Sequence, residues 1–223
     1  MMISTPRVGW VEPWRNPSRV LPRGAVRDGF RCAQPILRGV VGFAVLLTVV
    51  PFAATAQSIE DKAQACAACH GDAGIPPDKS WPVIWGQHQG YLYLQLRDFK
   101  SGARKNDMMG PIAQPMERDD MLALALYFSQ KAWPNLRQPR APETVAAQAV
   151  RANGSVGCTG CHQAGYLGEG TQPRLAGQSA DYLLKSMMDF RTRARGNNPG
   201  MSDLMNATSE DDLKALAQYL AGL

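Results

Sequence analysis

Cys66-Ala-Ala-Cys69-His70 and Cys158-Thr-Gly-Cys161-His162 are the residues whose types and spacing could do chemistry. Two cysteines separated by two residues, with a histidine next, form the attachment pattern of c-type haem. Each thiol adds to one haem vinyl group, giving two thioether bonds, and the adjacent histidine reaches the iron as proximal ligand. On a helical turn, residues three apart face the same way, so both thiols of a pair can meet one porphyrin edge. The competing readings are half of a structural zinc site or a disulfide. Two copies, using four of the five cysteines and two of the three histidines, count against both. A thioredoxin-like redox motif would want a βαβ setting, and none is visible. The expectation is two covalent haem c groups, held by Cys66, Cys69, Cys158 and Cys161, with His70 and His162 on the irons.

A haem used only for electron transfer has both axial positions filled, and a methionine opposite the histidine raises its potential. The candidates are Met108, Met109, Met116 and Met121 in the first half, and Met187, Met188, Met201 and Met205 in the second. Met187 and Met188 lie mid-helix beside Phe190 and read as core. Met109 follows His70 by 39 residues, and Met201 follows His162 by the same 39. The counterpart of Met108 is Gly200, which cannot ligate. Met109 and Met201 are therefore the expected distal ligands, with Met108 the rival in the first half. His88 has Ser179 as its counterpart and reads as a surface or haem-edge residue.

These motifs need elements to position them. Ser58 to His70 reads as a helix capped by Ser58, with Glu60 and Asp61 in its first turn. Gly71 to Trp81 reads as a loop, Gly90 to Ser101 as a helix, and Asn106 to Pro115 as a loop holding both candidate methionines. Arg118 to Gln130 reads as a helix. Lys131 to Glu143 contains Pro134, Pro139 and Pro142 and little that could pack, so it reads as an extended linker. In the second half Thr144 to Cys161 is helix plus haem motif, Ser179 to Arg193 and Ser209 to Leu220 are helices, and Asn197 to Asn206 is a loop. The halves repeat. Pro82, Gly86, Gln87, Tyr91, Asp98, Phe99, Arg104 and Asn106 recur 91 residues later, and Asp119, Asp120, Ala125 and Tyr127 recur 92 later. This is a duplicated domain of about 80 residues, whose thin core a buried haem would complete. The expected architecture is all-α, with domains at 57–133 and 143–223 joined by a linker at 134–142.

The 223-residue chain carries a formal net charge of +5, and all of it falls in residues 1–56. The rest is balanced, which gives no support for nucleic-acid binding. Arg23, Arg27, Arg31 and Arg38 precede an apolar run over 39–56 that ends Ala54-Thr55-Ala56, an export signal with a cleavage site after Ala56. Residues 1–56 are thus expected to be a signal peptide with an extended N-region. The alternative is an uncleaved anchor through residues 39–56. Cys32 lies in this leader, so the mature chain has no cysteine outside the two motifs.

The sequence resembles the dihaem cytochrome c4 family, within the class I or c553-type cytochromes c. The likeness rests on the two CxxCH motifs and on PVIWGQ paired with PRLAGQ. It extends to YLYLQLRDFKSGARKND with YLLKSMMDFRTRARGNN, and to the terminal LALALYF and LKALAQYL. It implies two tandem class I domains, each with one His/Met haem. It implies that the Pro82 and Pro173 carbonyls orient the proximal histidines. The first helix of the first half is short by the family's pattern, which leaves its crossing with the last helix open. The implied function is a periplasmic electron carrier between respiratory or dehydrogenase donors and a terminal oxidase or reductase. The alternative is the cytochrome subunit of an oxidoreductase complex of flavocytochrome or alcohol dehydrogenase type. Either way the partners are redox proteins, with peripheral membrane association an alternative and no small-molecule substrate. No acid/base cluster surrounds His88, so no catalytic residue is expected. A dihaem peroxidase, which needs an iron able to open a position, is disfavoured by the matched methionines.

Overall fold

Ser58 opens the first helix by accepting a hydrogen bond from the Asp61 amide at 3.1 Å. The computed structural model describes residues 57–223; the expected leader, its cleavage site and the alternative anchor lie outside them. The order is α1 (Ile59–His70), α2 (Gln89–Ser101), α3 (Met109–Ala113), α4 (Arg118–Ser129), α5 (Glu143–Val156), α6 (Cys158–His162), a 3₁₀ turn (Ala164–Tyr166), α7 (Ala180–Arg191), α8 (Pro199–Ala207) and α9 (Glu210–Ala221). No strand occurs among the described residues, only an isolated bridge between Glu169 and Gln172. The fold is all-α, as expected.

The packing repeats as the sequence does. α1 lies on α4 and α5 on α9; α2 lies on α4 and α7 on α9; α2 meets α3 and α7 meets α8. The short α1 does reach the last helix of its half, tied there by the Lys62–Asp120 ion pair. The cores are unequal. Fourteen buried residues, among them Leu213, Leu216, Phe190 and Met187, cluster in the second half. Only five, Ala63, Leu92, Leu124, Ala125 and Phe128, cluster in the first. Cys66 packs at the rim of the smaller cluster and Cys158 at that of the larger.

Two expectations need correction. Both methionine loops contain helix. Asn106 Oδ1 accepts from the amides of Met108 and Met109 and starts α3; Asn198 Oδ1 accepts from the Met201 amide at 3.1 Å and starts α8. Pro199 suits the first helical position, where a missing N–H costs nothing. Thr144 to Cys161 is a helix followed by the haem motif, as expected, with Gly157 at φ +76° ending α5 and beginning α6. Finally, residues 132–142 form neither helix nor strand and turn at Arg137, with φ +52°, but their side chains do pack. Gln138 Nε2 donates to the carbonyls of Gln178 and Ala221 at 2.9 and 3.2 Å, and its Oε1 accepts from the Ala180 amide at 2.9 Å.

Candidate functional site

Cys66 and Cys69 sit on the last turn of α1, and Cys158 and Cys161 on the single turn of α6. None of the four is paired in a disulfide; Cys161 is exposed and the other three half-buried. Burial pushes the Cys66 thiol up, with Cys69 adding to it, and burial pushes Cys158 up as well. Among the described residues, no three His, Cys, Asp or Glu side chains gather as a metal cluster.

Each motif histidine is buried and held by one carbonyl. His70 Nδ1 lies 2.8 Å from the Pro82 oxygen, and His162 Nδ1 lies 2.9 Å from the Pro173 oxygen. A carbonyl can only accept, so the proton is on Nδ1 and the lone pair on Nε2. Burial lowers the pKa of both imidazoles, with the carbonyl bond opposing it, and favours the neutral form that binds metals. The loops that deliver the carbonyls are tightly built. Gly168 donates to the His162 carbonyl at 2.7 Å, and the Glu169–Gln172 bridge then turns the chain into Pro173. A Cβ on Gly168, at φ +69°, would lie 2.4 Å from the Gln172 oxygen, so only glycine fits.

Met109 and Met201 both stand at the start of a short helix, each held by the asparagine three residues before. Met201 packs against the second core, while Met108 is 49% exposed. Met205 is buried in the second core, Met121 is buried outside the first cluster, and Met116 packs at the edge of that cluster. Met187 is core, as expected, with Met188 packed beside it. His88 is half-buried, and its ring is occupied by the Leu167 carbonyl at 2.8 Å across the two halves.

A cationic centre lies where the halves meet. Arg104 donates to Gln95 Oε1 and the Tyr182 hydroxyl, and Arg195 to Gln95 Oε1 and the Tyr91 hydroxyl. The guanidiniums lie 4.6 and 4.3 Å over the rings of Phe99 and Phe190. Burial alone would push the Tyr182 phenol up, but Arg104 and Arg195 outweigh it and bring it to about 7. The nearby Asp98 is already engaged by Arg97 and Asn197. In the first half the Trp85 indole N–H, in the cluster that includes Cys66, is buried without an acceptor. Two thiols, one neutral imidazole, a thin apolar core, buried cations and an orphaned donor suit a large apolar ring with carboxylate arms.

The interface residues Gln87, Gln178, Gln95 and the arginine–tyrosine pairs had no role assigned from sequence. For all of them except Gln95, whose counterpart is Ser186, recurrence at a spacing of 91 was the available signal.

A family model described as Cytochrome c matches residues 146–223. A cytochrome c4 from Thiocapsa roseopersicina is 35% identical over 71% of this chain and 86% of its own. A Stutzerimonas stutzeri protein named thiosulfate dehydrogenase electron acceptor is 35% identical over 81% of this chain and 91% of its own. The crystal structure of reduced cytochrome c4 from Pseudomonas stutzeri superposes with a TM-score of 0.66 at 31% identity, covering 75% of this chain and all of that one. With the duplicated all-α fold and both motif histidines clamped alike, this places the chain in the cytochrome c4 family, electron-transfer proteins with covalently bound haem c.

Proposed function

We propose that the chain is a periplasmic electron carrier whose two haems are attached through Cys66 and Cys69 and through Cys158 and Cys161. His70 with Met109, and His162 with Met201, would hold the two irons. The observation that carries this reading is the matched clamp, His70 on the Pro82 carbonyl and His162 on the Pro173 carbonyl, at distances differing by 0.1 Å. When bound, haem supplies one-electron chemistry at each iron. The imidazoles are held in the tautomer that presents Nε2. The asparagine caps fix the backbone from which each methionine reaches. Arg104 and Arg195 provide the buried positive charge for the haem carboxylates. No residue is proposed to move a proton or bind a substrate. Residues 1–56 direct export and are removed after Ala56.

A second reading has an observation in its favour. The relative named thiosulfate dehydrogenase electron acceptor covers more of this chain than the cytochrome c4 from Thiocapsa roseopersicina does. On that reading the protein takes electrons from a dehydrogenase on another chain, with terminal oxidases or reductases downstream. Stopped-flow reduction by a purified thiosulfate dehydrogenase, compared with an alcohol dehydrogenase and a respiratory donor, distinguishes the donors.

The site assignment is tested by mass. The exported, denatured protein is expected to weigh as residues 57–223 plus two haems. A single haem, or a retained leader, would contradict it.

A further inference from the structure

We propose that Gln87 and Gln178 are positioning residues that tie the potential of each haem to the opposite half of the molecule. The inference rests on the reading of His70 and His162 as iron ligands.

The Pro82 carbonyl that holds His70 shares an amide group with the Val83 N–H. That N–H donates to Gln178 Oε1, 95 residues away, at 2.9 Å. Gln178 Nε2 donates back to the Val83 carbonyl at 3.0 Å. The arrangement recurs with the halves exchanged. The Pro173 carbonyl holds His162, and the next amide, Arg174 N–H, donates to Gln87 Oε1 at 2.9 Å. Gln87 Nε2 donates to the Arg174 carbonyl at 3.0 Å. Each Oε1 also accepts from the amide that follows its own residue, His88 or Ser179, which locks the carboxamide orientation. Gln87 and Gln178 are each 3% exposed and Val83 is 1% exposed, so water does not compete.

The physical consequence follows from amide polarisation. An acceptor on the N–H side of a peptide makes its carbonyl oxygen more negative, because hydrogen bonds in a chain strengthen one another. A stronger acceptor on Nδ1–H makes the imidazole a more basic ligand. A more basic ligand favours the oxidised iron. Gln178 thus lowers the potential at the haem of His70, and Gln87 lowers it at the haem of His162. Each glutamine acts on the haem that its own half does not bind, so separating the halves would shift both potentials upward.

A merely structural glutamine would loosen the interface without this crossed pattern. The test uses the intact, haem-loaded protein, with each haem's titration followed through the paramagnetically shifted NMR signals of its own methyl groups. Gln178→Ala is expected to raise the midpoint at the His70 haem and leave the His162 haem in place. Gln87→Ala is expected to do the reverse. The expected size is roughly two- to tenfold in the oxidised-to-reduced ratio, tenfold being about 59 mV for one electron. The His70 ring N–H should also exchange faster in Gln178→Ala. If that variant does not assemble, Gln178→Met keeps the side-chain length without the carboxamide and reads the same shift. His88→Ala and Ser179→Ala, which lose other bonds between the halves, to Leu167 and Lys79, should move neither midpoint.

Unmoved midpoints, equal movement of both, or the same movement in His88→Ala would overturn the proposal. His70→Ala separates the two failures. If both haems stay low-spin without His70, the ligand reading is wrong. If low-spin character is lost there but Gln178→Ala moves nothing, only the crossed linkage falls.

Discussion

A histidine serves iron when one nitrogen is anchored and the other left bare, and the proline carbonyls do the anchoring twice here. The methionine assignment is a statement at the same scale. Met109 is half-buried at a helix start, whereas Met108 beside it is half-exposed. Met109→Ala and Met201→Ala are each expected to abolish the long-wavelength sulfur-to-iron charge-transfer band of one haem and to lower that haem's potential. Met108→Ala should do neither, and an effect there without one at Met109 would reverse the assignment. The two CxxCH motifs stand out in sequence because covalent attachment fixes residue type and spacing, and equal spacing nominates one methionine per half. The asparagine caps were half-readable. Asn106 pairs by position with Asn197 at the 91-residue spacing, but its capping role is taken by Asn198, 92 residues on, in register with the methionines.

Helices with strong caps were legible, and those built by context were not. Ser58 and Ser209 each cap a helix with acidic residues in its first turn, and α1 and α9 begin where those signals stand. α3 and α8 were hidden because Gly110, Pro111, Pro199 and Gly200 read as loop-forming in isolation. Supplied with an asparagine cap and packed on α2 and α7, the same residues turn helical. The unequal cores set a prediction at this scale. Leu216 in α9 is 1% exposed within the larger cluster. Leu216→Ala should cost about 2–5 kcal/mol by leaving a cavity, measured by denaturant unfolding of the haem-loaded protein. A loss well under 1 kcal/mol would mean that α9 can collapse onto α5 and α7. Gly168→Ala should be destabilising too, since it forces apart the loop that presents the Pro173 carbonyl to His162.

At the scale of the whole molecule, duplication explains why the contacts between halves come in exchanged pairs: Gln87 with Gln178, Tyr91 with Tyr182, Arg104 with Arg195. Residues separated by about a hundred positions leave no local pattern, so sequence could reveal the repeat but not which atoms cross. The proline-rich segment shows the same limit. Its composition announces an extended chain, yet Gln138 fastens it to Gln178, Ala180 and Ala221. Gln138→Ala leaves those backbone groups unpaired, a loss of about 1–3 kcal/mol. It should speed proteolytic cleavage within residues 134–142, and an unchanged cleavage rate would show that the segment is held by other means.

The central claim is that each half holds one haem with both axial positions filled by the protein, so that the molecule carries electrons and does nothing else to a substrate. A spectroelectrochemical titration of the purified protein, run with and without carbon monoxide, tests it most directly. The account predicts two electrons per chain, taken up in two one-electron steps. Spectra should stay low-spin in both states, and the reduced form should bind carbon monoxide poorly at neutral pH. One electron per chain, or rapid stoichiometric carbon monoxide binding at either haem, would contradict it.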